Sequence, residues 1–167
     1  RRVLFRSVTE AQKRRKPYNA VVALYDDKWG EYCTGTIVKG LDGKPYLYTA
    51  KHCTGDENDM VRSELTIKLQ DGRKLSVTKL AVGNYNIEHD ENMLGDWAIY
   101  SLVNYDVPMV EIPSKRGNGV YAARNVGYAG QLVLHHHISH ESVILGRAGL
   151  AGGDNTGNGD VLAISKA

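Results

Sequence analysis

His52 and Asp96 are the residues of this chain whose surroundings suit acyl-transfer chemistry. That chemistry needs an imidazole that takes a proton from a nucleophile, and a buried carboxylate that fixes the imidazole's tautomer and stabilises its protonated form. It also needs a nucleophile on a tight Gly-rich turn whose backbone N–H groups hold an oxyanion. His52 closes the stretch "YLYTAKH" and is followed directly by Cys53, one of only two cysteines. The residues before it are apolar and β-branched, so a strand is expected to deliver the imidazole to a sheet edge. Asp96, between Gly95 and Trp97, opens "DWAIYSLV". An acid in that setting is partly buried and needs a partner to stay there. A lone histidine reads more simply as a structural residue bonded to a backbone carbonyl; the flanking motif and the aspartate favour a general base.

The elements that must carry these groups read as β-strands. "YNAVVALY" is a strand, "DDKWGE" a turn and "YCTGTIVKG" a second strand. "LDGKP" is a tight hairpin turn, because Asp-Gly tolerates the positive φ such turns require. "YLYTA" follows, then the hairpin "ELTIKLQ-DGR-KLSVTKLAVG", which alternates apolar and polar residues on both sides of another Asp-Gly. "DWAIYSLV" closes this half, and short strands at regular spacing mean a sandwich or barrel. Residues 103–119 look like a crossing linker, with Pro108, Pro113 and a Gly-Asn-Gly end. "VYAARNVGYAG", "QLVLHHHI", "SVILGRAG" and "DVLAIS" are four further short strands. Helix is expected only in short pieces, such as "SVTEAQKRR" capped by Ser7 or Thr9.

A chain of 167 residues, 42% of them apolar, can bury one good core or build two small barrels that share an interface. It has no apolar run long enough for a transmembrane helix, and its basic N-terminus has no apolar h-region behind it. It also lacks an initiating methionine, so its start need not be the natural one. Arg1, Arg2, Arg6, Lys13, Arg14, Arg15 and Lys16 face Glu10 alone in the first sixteen positions, which leaves the remainder net acidic. Residues 1–17 are therefore expected as a solvated, coil-like basic tail. Within it, "RVLFRS" (residues 2–7) resembles the in-frame translation of a common sequencing adapter, which would make the chain a fragment of an environmental gene, and is set apart from fold reasoning.

The segment from Cys33 to Cys53, "CTGTIVKGLDGKPYLYTAKHC", resembles the N-terminal barrel of the trypsin/chymotrypsin-like serine peptidases. In that family a C-x-G-(T/S)-(L/I)-(I/V) strand leads through a hairpin to T-A-x-H-C, and the aspartate follows in a D-(I/W)-A-(L/I) strand. Thr49-Ala50-Lys51-His52-Cys53 and Asp96-Trp97-Ala98-Ile99 match in the right order, and "VGYAGQL" (residues 126–132) resembles the strand that opens the second barrel. The resemblance implies an all-β fold of two six-stranded antiparallel barrels. The first would span 18–102, and a divergent or incomplete second barrel would span 120–167. It also implies a disulfide between Cys33 and Cys53 that braces the histidine loop. Such a bridge contributes on the order of 3 kcal/mol for a loop of about 20 residues, and implies a secreted or periplasmic home.

The nucleophile is where the chain departs from the family. The expected G-(D/N)-S-G-G is absent, and its nearest counterpart, "GGDNTGNGD" (residues 152–160), places Thr156 where the serine stands. The backbone N–H groups of Asp154, Asn155 and Thr156 would then form the oxyanion site. Threonine's extra methyl restricts χ1 and crowds an incoming carbonyl. Too few residues follow Thr156 to supply the strands that build a specificity pocket, as in a truncated or frame-altered gene end. Ser139 and Ser142 are the other candidate nucleophilic hydroxyls.

The resemblance thus implies a serine-type endopeptidase acting as a monomer on a protein or peptide substrate. His52 is its base, Asp96 the orienter and Thr156 the occupant of the nucleophile position, and no cofactor is required. The competing reading is a catalytically inactive homologue that binds a protein partner. A nucleic-acid binder is disfavoured because aromatics and basic residues do not interleave on a strand face, and no membrane partner is expected. The cluster "HHHISHE" (residues 135–141) offers His135 with His137 on a strand, or His136 with His140 on a helix, beside Glu141. It is not an H-E-x-x-H arrangement, and no functional metal is expected. The acidic runs Glu88-His89-Asp90-Glu91-Asn92 and Asp56-Glu57-Asn58-Asp59 read as solvated loops rather than calcium sites.

Overall fold

The structure, a computed structural model, describes residues 5–7, 9–112, 120–128 and 137–145. Its centre is a closed antiparallel barrel built from β2 (Val21–Asp26), β3 (Gly30–Lys39), β4 (Pro45–Thr49), β5 (Glu64–Lys68), β6 (Lys74–Val82) and β7 (Ala98–Ser101). The strands pair in the order β2-β5-β6-β7-β4-β3, and β3 returns to β2 to close the ring. Closure removes the open edges that an isolated sheet would expose.

Alternation decides which side chains fill the barrel. Leu47 on β4, Leu65 and Ile67 on β5, and Ala98 and Tyr100 on β7 are buried at every second position and meet Val22, Leu24, Ile37 and Val77. Tyr100 is fully buried, and its hydroxyl donates to the Arg62 carbonyl at 2.6 Å. This satisfies the polar tip that burial would otherwise strand. Gly35 makes room for this core, since a Cβ there would lie 2.6 Å from Leu47 Cδ1. β2 breaks the alternation, because Val21, Val22, Ala23 and Leu24 are all buried. Strand β9 (Val120–Tyr128) runs close to β2 and β3, which accounts for burial on the second face.

The two Asp-Gly turns form as the sequence leads one to expect, with the positive φ confined to the glycines. Gly43 and Gly72 have φ of 79° and 91°. Asp42 and Asp71 each accept the backbone N–H two residues on, from Lys44 and Arg73.

Elsewhere the elements depart from the sequence reading. Tyr18–Ala20, expected to open a strand, is a turn of 3-10 helix. The basic stretch is not all coil: it contains β1 (Phe5–Ser7), which was not expected, and the short helix that was, one turn of α1 (Glu10–Lys13) whose Thr9 and Gln12 cap each other reciprocally. The stretch expected as linker contributes Val107 to the core and the short β8 (Val110–Glu111), which pairs in parallel with Val38 and Lys39 of β3. β10 (His137–Leu145) is one continuous strand where two were expected, and it forms a three-stranded sheet in the order β1-β10-β9. Among the described residues no helix is long and apolar enough to cross a membrane.

Candidate active site

β4 ends at Thr49, and the chain turns at once into a 3-10 turn, Lys51–Thr54, that carries His52. The turn is closed locally by Cys53 N–H donating to the Ala50 carbonyl and by the Thr54 hydroxyl donating to the Lys51 carbonyl at 2.6 Å. Two long-range ties fix it to the barrel. Cys53 forms a disulfide with Cys33 on β3, and Lys51 Nζ donates to the Gly83 carbonyl at 2.7 Å.

Asp96 lies two residues ahead of β7 rather than within the strand, just after the 3-10 turn Met93–Gly95. Its placement depends on a backbone-to-backbone approach that only glycine permits. Gly83 N–H donates to the Trp97 carbonyl and Tyr85 N–H to the Gly95 carbonyl. A Cβ on Gly83 would run into the Gly95 carbonyl oxygen, and a Cβ on Gly95 into the Asn84 side chain and backbone. The end of β6 and the entry to β7 therefore lie against each other, and Asp96 is held over the histidine turn.

His52 and Asp96, 44 residues apart in sequence, meet through both oxygens of one carboxylate. Asp96 Oδ1 accepts the His52 backbone N–H at 2.9 Å, and Oδ2 lies 2.6 Å from His52 Nδ1. An ionised carboxylate only accepts, so Nδ1 carries the proton and Nε2 is left as the basic nitrogen. Asp96 is 11% exposed and His52 55% exposed, so the orienting group is sheltered and the imidazole faces outward. The hydrogen bond that His52 Nδ1–H donates to Asp96 raises the His52 pKa; partial burial opposes this, and the Asp96 and Asp90 charges reinforce it. Burial alone would push Asp96 upward, but the His52 ring and backbone N–H together hold its carboxyl below the usual range.

Two walls flank the imidazole. On one side Tyr85, buried, presents its ring edge-on to His52 with centroids 6.4 Å apart. The Tyr85 hydroxyl donates to Asp90, so this acid of the 88–92 run is partnered rather than merely solvated. On the other side a cleft of about 280 Å³ is lined by Asp26, Trp29, Tyr32, Arg62 and the Cys33–Cys53 bridge. The site as it stands can accept and return a proton at Nε2, beside this cleft.

The structure brings His52, Asp96, Cys33 and Cys53 together. Thr156, Asp154 and Asn155 lie outside the described residues, as do His135 and His136. His137, Ser139, His140, Glu141 and Ser142 fall on β10, where they pair with Tyr128, Val126, Asn125, Arg124 and Ala123. Among the described residues no cluster of His, Cys, Asp or Glu is placed to hold a metal. Sequence reasoning did not identify Lys51, Gly83, Tyr85 or Asp90 as parts of the site. Gly83 gave the one usable signal, a glycine directly after a strand that is not followed by a tight hairpin turn.

The family model for the C-terminal domain of lysyl endopeptidase matches residues 6–139. A comparison with curated proteins finds no match.

Proposed function

The chain belongs to the lysyl endopeptidase C-terminal-domain family, and from that premise we propose that it is a serine-type endopeptidase of the trypsin/chymotrypsin-like kind. The observation that carries the reading is the double grip of Asp96 on His52 at one end of a closed barrel. In the proposed reaction His52 Nε2 takes the proton of a nucleophilic hydroxyl as it attacks a peptide carbonyl. Asp96 stabilises the imidazolium, which then gives its proton to the leaving amine. Thr156 is the proposed nucleophile, and the N–H groups of Asp154, Asn155 and Thr156 the proposed oxyanion site. A second barrel, built from residues 120–167, would carry them.

The substrate class is a protein or peptide, with lysyl bonds proposed from the family's name. The segment bound past His52 would occupy the cleft beside Trp29 and Tyr32. The chain is proposed to act as a monomer without cofactor, nucleic acid or membrane. The Cys33–Cys53 bridge supports an extracytoplasmic home, where such bonds persist.

The presence of Thr156 in place of a serine favours a second reading, an inactive homologue that binds a protein partner. Fluorophosphonate labelling of the folded protein, with His52→Ala as control and the adduct located by mass spectrometry, separates the two. The expected outcome is an adduct on Thr156 that is lost in the control. An adduct on Ser139 or Ser142 would move the nucleophile. An unlabelled protein with the Cys33–Cys53 bridge intact would favour the binding role.

A further inference from the structure

The loop between β6 and β7 carries more internal structure than a connection requires. Asn86 and Glu91 exchange backbone N–H bonds at 2.8 and 3.3 Å, and Asn92 Nδ2 donates back to the Asn84 carbonyl at 3.3 Å. His89 N–H is capped by the Asn86 side chain. Asp90 and Asn92 hold φ of 54° and 64°, a left-handed region that costs non-glycine residues about 1 kcal/mol or more each. What this loop delivers is Tyr85. Its ring is 7% exposed and stands at 69° to the His52 ring, and its hydroxyl is fixed by Asp90. Edge-on aromatic pairs at this separation are attractive and directional.

We infer that Tyr85 and Asp90 are positioning residues for His52: Asp90 locks the Tyr85 ring, and that ring holds the imidazole in the plane in which Nδ1 meets Asp96. The inference rests on reading His52 as the general base, and it gives the 83–95 loop a task in that reading. Asp90 acts a second way, as a carboxylate whose field favours the imidazolium. The other charged groups near the ring are Asp96 ahead of β7, Lys51 on its own turn, and Asp26 and Arg62 across the cleft. Lys51 is engaged at the Gly83 carbonyl and Asp26 caps the backbone N–H groups of Lys28 and Trp29. Asp96 and Asp90 are thus the two carboxylates that bear on the imidazole from its own side of the cleft. The Asp90 partner also drives the Tyr85 hydroxyl pKa up to about 12, so the phenol stays protonated and able to donate.

The test is the NMR titration of the His52 ring in the full chain, which needs no nucleophile and so is independent of whether Thr156 labels. Asp90→Asn is expected to lower the His52 midpoint, by less than Asp96→Asn does. Tyr85→Phe keeps the ring but breaks the link, and is expected to shift and broaden the His52 ring resonances. Unchanged midpoint and resonances in both variants, with the Cys33–Cys53 bridge intact, would overturn the inference. Should either variant fail to fold, the unsubstituted protein decides: cross-relaxation between the Tyr85 and His52 rings supports the pair, and its absence overturns it.

Discussion

The two ends of the barrel solve the same problem, turning a strand back on itself, with different chemistry. At one end the Gly40–Lys44 and Leu69–Arg73 turns are self-contained. Each closes on its own backbone, each uses an aspartate to cap the residue two positions on, and each puts the positive φ on a glycine with open space around it. At the other end the β2–β3 turn is again local, with Asp26 accepting from Lys28 and Trp29 N–H, but the loops that carry the site are not self-contained. The His52 turn is tied to β3 by a disulfide, to Gly83 by Lys51 and to the β7 entry by Asp96. Local closure suffices where a turn only has to reverse the chain. A site needs groups from several elements fixed to within fractions of an ångström, so its loops are fastened to one another.

The sharpest way to break this contrast is Asp96→Asn. It is expected to reduce the labelling or turnover rate by about 10⁴-fold, because the amide no longer holds the imidazole in the useful tautomer. The pH dependence of stability should change with a definite sign. With Asp96 present, the raised His52 pKa contributes stability that is full below the ordinary histidine midpoint and is lost as pH rises through the raised one. The lowered Asp96 pKa contributes stability present above the ordinary aspartate midpoint and lost as pH falls through the lowered one. In the variant the Asp96 slope should vanish and the His52 slope should shrink to what the Asp90 charge sustains, which unfolding at a series of pH values would show.

Removing the disulfide through Cys33→Ser with Cys53→Ser comes next. It is expected to lower unfolding stability by about 3 kcal/mol and to loosen the His52 turn more than the Asp-Gly turns, as hydrogen exchange would report. The smallest effect compares two glycines. Gly83→Ala should cost about 2 kcal/mol through overpacking of backbone on backbone, whereas Gly43→Ala should cost about 1 kcal/mol for its left-handed conformation alone. Equal costs in denaturant titrations would erase the distinction between the two ends.

The same contrast explains what could be read in the sequence. The strands around Leu47, Ile67 and Val77 and both Asp-Gly turns were legible because period-two alternation and turn chemistry are local. His52 and Asp96 were legible because each sits in a distinctive short context. The ties that make them a site were not, since Lys51 to Gly83 and Gly83 to Gly95 depend on how β6 and β7 approach across the ring. The Tyr85–Asp90 link is local in sequence, but its meaning depends on where His52 lies. Likewise β8 exists only because β3 offers it a free edge at Val38 and Lys39, and no periodicity in residues 103–112 announces it.

The close approach of Gly83 to Gly95 means that the chain leaves the barrel and re-enters it at nearly one point. The intervening segment hangs from that point like a pendant. Its tip beyond the Asn86–Glu91 bridge, at the exposed Glu88 and His89, can lengthen or shorten without moving Asp96, because extra length in a loop with fixed ends adds little closure entropy. The Asn86–Glu91 bridge thereby separates the residues that must stay constant around the imidazole, Tyr85 and Asp90 among them, from a short tip free to vary in size.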